Sequence, residues 1–339
     1  MRALITGAAG FIGSHLSERL LKQGATVVGI DCFTDSYPRW VKELNLRESL
    51  SHPRFSFIEG DLVALDLNSV LDGVECVFHQ AAQPGVRSSW GLAFEAYVRN
   101  NVLATQRLLE AARGTAIRKF VYASSSSIYG EAEKFPTSES ITPRPISPYG
   151  VTKLAGEHLC LLYCRRYGVP AVTLRYFTAY GPRQRPDMGF HTFIHAFLSG
   201  RPISIYGDGG HSRDFTYVSD VVTANVLAAE KGPAGRVYNI GGGVEVTLNE
   251  VIRTLKTLTG ADVQIRHQEA NAEDPRRTAA DTALAIGELS YQPAVGLEEG
   301  LKQQIGWVRE LIRRQPAGED ENQATGKLGV SRKAHWEAA

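Results

Sequence analysis

Along the first half of the chain, apolar residues fall in short, nearly unbroken runs separated by longer stretches of helical period. Runs at Arg2–Thr6, Thr26–Asp31, Phe55–Glu59, 76–81, 119–124 and 171–177 predict strands. Continuous rather than alternating apolarity marks strands buried on both faces, as in a parallel sheet. The stretch Phe11–Lys22 stops before Gly24 and the stretch 94–113 before Gly114, each helix ending where glycine can take the left-handed conformation. Strand–helix–strand alternation implies right-handed crossovers and a doubly wound parallel sheet.

After Gly181 the alternation breaks, at Gly181-Pro182 and Arg185-Pro186-Asp187, dipeptides that mark turns. Shorter elements follow: helices near 192–199, 220–231 and 248–258, strands at Ile203–Tyr206 and 262–266, and a buried strand at Val237–Ile240 suited to rejoin the first sheet. The expected organisation is a sheet domain over residues 1–181, rejoined by about 211–248. A smaller interleaved α/β domain takes 182–210 and 249–312. Residues 315–339, polar and aperiodic, are expected to form a mobile tail.

The 339 residues are 43% hydrophobic, enough for a sizeable core, and 37 Lys+Arg nearly cancel 36 Asp+Glu. That balance argues against nucleic acid as the main partner, since such proteins carry a basic excess. Four cysteines, at 32, 76, 160 and 164, form no C-x-x-C pair, so reduced thiols of a cytoplasmic protein are expected rather than a disulfide or zinc scaffold. No apolar run reaches the ~18 residues of a membrane span. The first strand begins at residue 2, so no signal peptide is expected.

Gly7-Ala8-Ala9-Gly10-Phe11-Ile12-Gly13 follows the first strand and opens a helix. Glycines there let the backbone turn tightly and approach a pyrophosphate, which sits on free N–H groups of the helix N-terminus. No Gly-Lys-Ser/Thr follows, which excludes a P-loop. Asp31 ends the second strand, 18 residues after Gly13, where an acid bonds the adenosine ribose hydroxyls and repels a 2′-phosphate. The cofactor expected is therefore NAD rather than its phosphorylated form. Tyr149 and Lys153 are four residues apart, on one face of a helix. An ammonium beside a phenol favours the phenolate, which can serve as a general base. The run Ser124-Ser125-Ser126-Ser127 ends the predicted central strand, at the carboxyl edge where open α/β sheets bind ligands.

Together these features resemble the extended short-chain dehydrogenase/reductase family, the nucleotide-sugar epimerases and dehydratases. The resemblance covers roughly residues 1–310 and also rests on Gly60-Asp61-Leu62, Ala81-Ala82 and Asn100-Asn101-Val102. It implies a Rossmann-type fold. Gly7, Gly10, Phe11, Ile12, Gly13, Asp31, Asp61, Leu62, Ala81, Ala82, Asn100, Tyr149 and Lys153 are then the expected cofactor site, and Ser125, Tyr149 and Lys153 the catalytic set. Arg213, in Arg213-Asp214-Phe215-Thr216-Tyr217-Val218, falls on the family's diphosphate-binding arginine. Asn271 replaces another arginine used on the diphosphate, for which Arg276 or Arg277 is the substitute. Two residues before Tyr129, where decarboxylases and 4,6-dehydratases carry Glu, this chain has Ser127; Ser126 replaces the dehydratase Asp. That leaves epimerisation or simple redox.

Three segments resemble UDP-glucuronate 4-epimerases more than UDP-galactose epimerases: the stretch from Ala81 to Ser88, Phe177-Thr178-Ala179-Tyr180-Gly181-Pro182, and Arg183-Gln184-Arg185-Pro186-Asp187-Met188. The expected substrate site contains Arg87, Ser126, Ser127, Thr178, Arg185, Arg213 and Arg276, with Arg185 pairing a sugar carboxylate. The resemblance implies a homodimer that binds NAD and a UDP-sugar; the alternative substrates are UDP-glucose and UDP-N-acetylglucosamine. A non-catalytic dinucleotide-binding regulator is the reading of another class, against which the intact Ser125, Tyr149 and Lys153 stand. His191 and His195, four residues apart, lack a following Glu and a third ligand, so no metal site is expected.

Overall fold

The structure, a computed structural model, describes residues 1–269 and 275–315. Asn271 and nearly all of the expected tail lie outside the described residues.

Seven parallel strands form the central sheet: β1 (Arg2–Thr6), β2 (Thr26–Asp31), β3 (Phe55–Glu59), β4 (Cys76–His79), β5 (Lys119–Ser125), β6 (Ala171–Tyr176) and β10 (Val237–Ile240), in spatial order β10-β6-β5-β4-β1-β2-β3. The order reverses between β1 and β4, which opens a crevice at their carboxyl ends where ligands bind in doubly wound sheets. β10 pairs with β6 in parallel register, Tyr238 opposite Leu174, so the late strand does rejoin the sheet. One apolar layer includes Ile5, Leu16, Phe78 and Val222, and the other Leu4, Leu108, Phe120 and Cys160. Burial on both faces is why the inner strands read as nearly unbroken apolar runs; β3, at the sheet edge, is only partly covered and alternates.

The smaller region holds β7 (Thr178–Tyr180), β8 (Ile203–Tyr206), β9 (Ser212–Tyr217), β11 (Glu245–Thr247) and β12 (Ile265–Gln268). β7, β9 and β11 form a three-stranded mixed sheet and β8 pairs with β12. Its core includes Phe190, Ile194, Ile205, Val251 and Leu301.

Several expected bounds shift. The helix expected over 94–113 is instead helical at Phe94–Tyr97, a π-helix at Val98–Leu103, and α-helical again at Ala104–Ala112. The last expected strand sits at Ile265–Gln268 rather than 262–266. The helices Arg39–Leu50 and Ala283–Leu289, and β7, β9 and β11, are additional elements.

Candidate active site

The glycine loop is built by close approach. Gly7 has φ +71°, and a Cβ there would stand 2.8 Å from the Ala81 nitrogen; a Cβ on Gly13 would meet the Gly7 carbonyl oxygen at 2.1 Å. The helix Phe11–Lys22 begins at Gly10 with no side chain capping it, which leaves its first N–H groups for an anion. Asp31 sits at the end of β2, accepting from Phe33 N at 2.9 Å and Ala9 N at 3.1 Å. Burial raises its pKa against those hydrogen bonds and the Lys42 charge. Asp61 caps the next loop, accepting from Val63 N at 2.8 Å and Arg99 at 2.6 Å. Burial opposes the charge on Asp61, but these two donors outweigh it and hold its pKa down.

The helix Pro148–Tyr167 is specified at both ends. Ser147 accepts from Gly150 N at 3.1 Å, proline occupies the first turn, and Gly168 closes it at φ +72°. This sets Tyr149 in the first turn and Lys153 one turn later, against the end of β5. Lys153 is buried and donates to the Ala123 carbonyl at 2.8 Å. Desolvation lowers its pKa to about 8. Desolvation raises the Tyr149 pKa, while the nearby Ser125 hydroxyl and the Arg185 charge pull it down. The expectation that the Lys153 ammonium lowers the phenol pKa is thus corrected: burial dominates and raises it, and it is Ser125 and Arg185 that oppose the rise. Ser125 Oγ also donates to Ser127 Oγ and accepts from Ser127 N, both at 3.1 Å.

The glycine loop, Asp31, Asp61, Tyr149 and Lys153 face one open cleft of about 230 Å³; of the serine run Ser124 lines it and Ser125 does not. Every residue of the expected cofactor site lines it, from Gly7 through Lys153, together with Arg185. The structure does not bring the whole expected substrate set to this lining. Ser126 and Ser127 form the turn just after Ser125, and Thr178 opens β7. Arg87 stacks on the Tyr206 ring at 4.3 Å. Arg213 lies on β9 with Nη1 bonded to the Ser212 carbonyl. Arg276 is exposed near Asp208, and Arg277 is held by Glu245 at 2.8 Å. Arg185 is itself paired, giving Nε and Nη2 to Asp187 at 2.9 and 2.7 Å.

The lining also holds Thr34, Ser36, Tyr37, Lys42, Gln80 and Tyr176, which no motif pointed to. Lys42 donates to the Thr34 carbonyl and, at 3.2 Å, to its hydroxyl. Among the described residues the buried Tyr37 hydroxyl has no hydrogen-bond partner. His191 Nδ1 is within 3.1 Å of the Gln184 carbonyl, an internal brace of the loop that carries Arg185.

The uncapped helix, the glycine cradle that any Cβ would fill, the acid at the end of β2 and the orphaned Tyr37 hydroxyl fit a dinucleotide. With the Ser-Tyr-Lys cluster beside it, they define a dinucleotide-dependent enzyme that acts on an alcohol or ketone. Residues 3–241 match the NAD dependent epimerase/dehydratase family. The chain belongs to that family, and its cofactor is NAD. It is 46% identical to the uncharacterised UDP-glucose epimerase YtcB of Bacillus subtilis, over 92% of this chain and 99% of that one. It is 36% identical to the UDP-glucuronate 4-epimerase of Thermodesulfobacterium geofontis, over 91% and 96%. The crystal structure of UDP-glucuronic acid 4-epimerase from Bacillus cereus, in complex with UDP-glucuronic acid and NAD, superposes with a TM-score of 0.89. That match has 44% identity over 92% of this chain and all of that one.

Proposed function

We propose that the chain interconverts UDP-glucuronate and UDP-galacturonate by inverting sugar C4 through a 4-keto intermediate. The observation that carries the choice of sugar is Arg185, a cation lining the cleft close enough for its charge to act on the Tyr149 phenol. A guanidinium beside the general base suits a sugar whose C6 is a carboxylate. The B. cereus and T. geofontis relatives support the same sugar.

Bound in this cleft, NAD would supply a reversible hydride acceptor for sugar C4, which is what inversion through a 4-keto sugar needs. The chain's residues do the rest. Tyr149 takes the O4 proton as phenolate and gives it back on return. Ser125, whose hydroxyl acts on the Tyr149 phenol, holds O4. Lys153, cationic below a pKa of about 8, holds the nicotinamide ribose. Asp31 takes the adenosine ribose, while the Gly7–Gly13 loop takes the pyrophosphate on its free N–H groups. Asp61, Leu62, Ala81, Ala82 and Asn100 complete the cofactor site. On the sugar side, Ser126, Ser127 and Thr178 hydrogen-bond the uronate, Arg87 assists Arg185 on its carboxylate, and Arg213 with Arg276 takes the diphosphate.

The YtcB relative favours a second reading, a UDP-glucose 4-epimerase with the same machinery. Turnover of purified protein on UDP-glucuronate, UDP-glucose and UDP-N-acetylglucosamine, with products identified by NMR, separates them. Preference for UDP-glucose would overturn the first.

We also infer a cytoplasmic homodimer. All four cysteines are free. Val98, Leu103, Val151, Leu162 and Tyr167, on the segments flanking the active-site helix and on that helix, are 37–51% exposed, more apolar surface than a solvated face keeps. Light scattering at micromolar concentration should give twice the chain mass; a monomer would contradict it.

A further inference from the structure

Arg185 reaches the cleft from a loop held on every side. Its own carbonyl accepts from Met188 N at 3.1 Å, and Thr192 Oγ1 donates to the Pro186 and Met188 carbonyls at 3.2 and 3.1 Å. Gln184 Nε2 donates to the Ala179 carbonyl, and Gln304 Nε2 donates to Gln184 Oε1 at 2.7 Å. His15 Nε2 lies 2.9 Å from the Pro182 carbonyl, and Arg183 pairs with Glu18 at 2.6 Å. Within this frame a long side chain still has four torsions to fix. Asp187 fixes them: both its oxygens are engaged, on the Nε–Nη2 edge of the guanidinium. Arg185 lines the cleft and Asp187 does not; their side chains are 18% and 33% exposed. Among the described residues Nη1 has no hydrogen-bond partner, so its two N–H groups remain for a ligand.

We propose that Asp187 is a positioning residue for uronate selectivity: it clamps the Nε–Nη2 edge of Arg185 so that the Nη1 side is presented to the C6 carboxylate. This rests on the uronate reading above and extends it to the control of a side reaction. A 4-keto uronate is a β-keto acid. In its decarboxylation the C5–C6 bond breaks and its electron pair passes through C5 onto the C4 oxygen. CO2 leaves, and C5 then takes a proton from water. Negative charge therefore moves away from the carboxylate. A cation held on that carboxylate stabilises the starting charge more than the transition state and slows CO2 loss. A guanidinium free to rotate loses this hold, because a planar fork works only when its edge is aligned.

The experiment measures kcat and KM on UDP-glucuronate and UDP-glucose, and the ratio of epimer to pentose product plus CO2. It compares wild type with Asp187→Ala, Asp187→Asn and Asp187→Glu, each checked for Tm and NAD binding. The expected result for Asp187→Ala is a rise of about tenfold in KM for UDP-glucuronate, the weight of one hydrogen bond to a charged group. The loss on UDP-glucose should be clearly smaller, and the pentose fraction should rise. Asp187→Asn should fall between, and Asp187→Glu should restore the product ratio in part. Equal losses on both sugars with an unchanged product ratio would reduce Asp187 to a loop brace and overturn the proposal. A lower KM for UDP-glucuronate in Asp187→Ala would overturn it too, since Asp187 would then be competing for Arg185. The wild-type arm judges the parent reading separately: no wild-type turnover of UDP-glucuronate removes both, whereas normal wild-type turnover with the outcomes just named removes only the role of Asp187.

Discussion

Removing one half of the buried ion pair behind β5 should cost several kcal/mol, and removing both halves should cost much less. Arg175 and Glu157 side chains are 6% and 2% exposed. Arg175 gives Nη2 to Oε1 at 2.5 Å and Nε to Oε2 at 3.1 Å, and Ser124 Oγ donates to Oε2 at 2.8 Å. Arg175 Nη1 donates to the Tyr129 hydroxyl at 2.6 Å, which donates to Asn239 Oδ1 at 2.8 Å. The network thus joins β5, the Tyr149–Lys153 helix, β6 and β10. In Arg175→Met the Glu157 carboxylate keeps, among the described residues, only the Ser124 hydroxyl. Leaving a charge buried and unpaired costs ~3–5 kcal/mol. With an unfolding entropy near 0.65 kcal/mol/K for a chain of this size, Tm should fall by roughly 5–8 °C. The bereft carboxyl escapes by taking a proton, so the loss should be smaller at pH 5.5 than at pH 8. Glu157→Leu combined with Arg175→Met removes both charges and should recover much of the loss. Circular-dichroism melts of wild type, both single variants and the double variant, at the two pH values, make the test. An Arg175→Met protein within about 2 °C of wild type, or a double variant losing the sum of the singles, would refute the reasoning.

Tyr149→Phe should keep the fold and NAD but lose turnover by ~10²-fold or more, the usual weight of a general base; near-normal turnover sinks that role. Calorimetry should find NAD bound well and NADP poorly, because Asp31 at the end of β2 repels a 2′-phosphate; equal affinities would remove Asp31 from the ribose. Burial lowers the pKa of His15 and His191 to about 4 and of His79 to about 3, below the ~6.5 of an unfolded histidine. Their contribution to stability is therefore present above pH 6.5 and is lost as pH falls towards the folded values. At pH 5.5 each favours the unfolded chain by about 1.4 kcal/mol, about 4 in all. Asp31, Asp214 and Asp220, raised by burial, work in the opposite sense at more acid pH. Tm should fall between pH 7.5 and 5.5, and His79→Asn should flatten that slope; an unchanged slope would show that His79 takes up its proton in the fold.

The inner parallel strands were legible because burial on both faces leaves no alternation to decode, and β1 and β2 begin and end where the apolar runs do; the edge strand β3 was found at its expected bounds from an alternating run instead. Where an element depends on a distant partner, the local pattern is silent. β7 and β11 are three residues each, all but Tyr180 half-buried, and exist only because β9 lies between them. The helix Arg39–Leu50 starts behind Pro38 without a side-chain cap, so none of the usual start signals marks it. The apolar period through residues 94–113 is genuine, yet it cannot show the π-turn at Val98–Leu103. There Asn101 gives Nδ2 to Thr152 Oγ1 and to the Gln83 carbonyl, both at 3.0 Å, and takes Gln83 N at 2.7 Å. A wide turn that aims one polar side chain at two segments is a tertiary demand. The chemistry of the site divides along the same line. Four-residue spacing placed Tyr149 and Lys153 on one helix correctly, because helix geometry fixes it. The charge state did not follow from spacing: burial moves Tyr149 up and Lys153 down, each towards its neutral form. Arg185, whose charge opposes that drift at Tyr149, comes from a loop 36 residues further along the chain, and its orientation from Asp187 two residues beyond. Residue types and intervals therefore identify who is present at such a site. Which of them is charged, and which way a guanidinium points, is decided by what the folded chain packs around them.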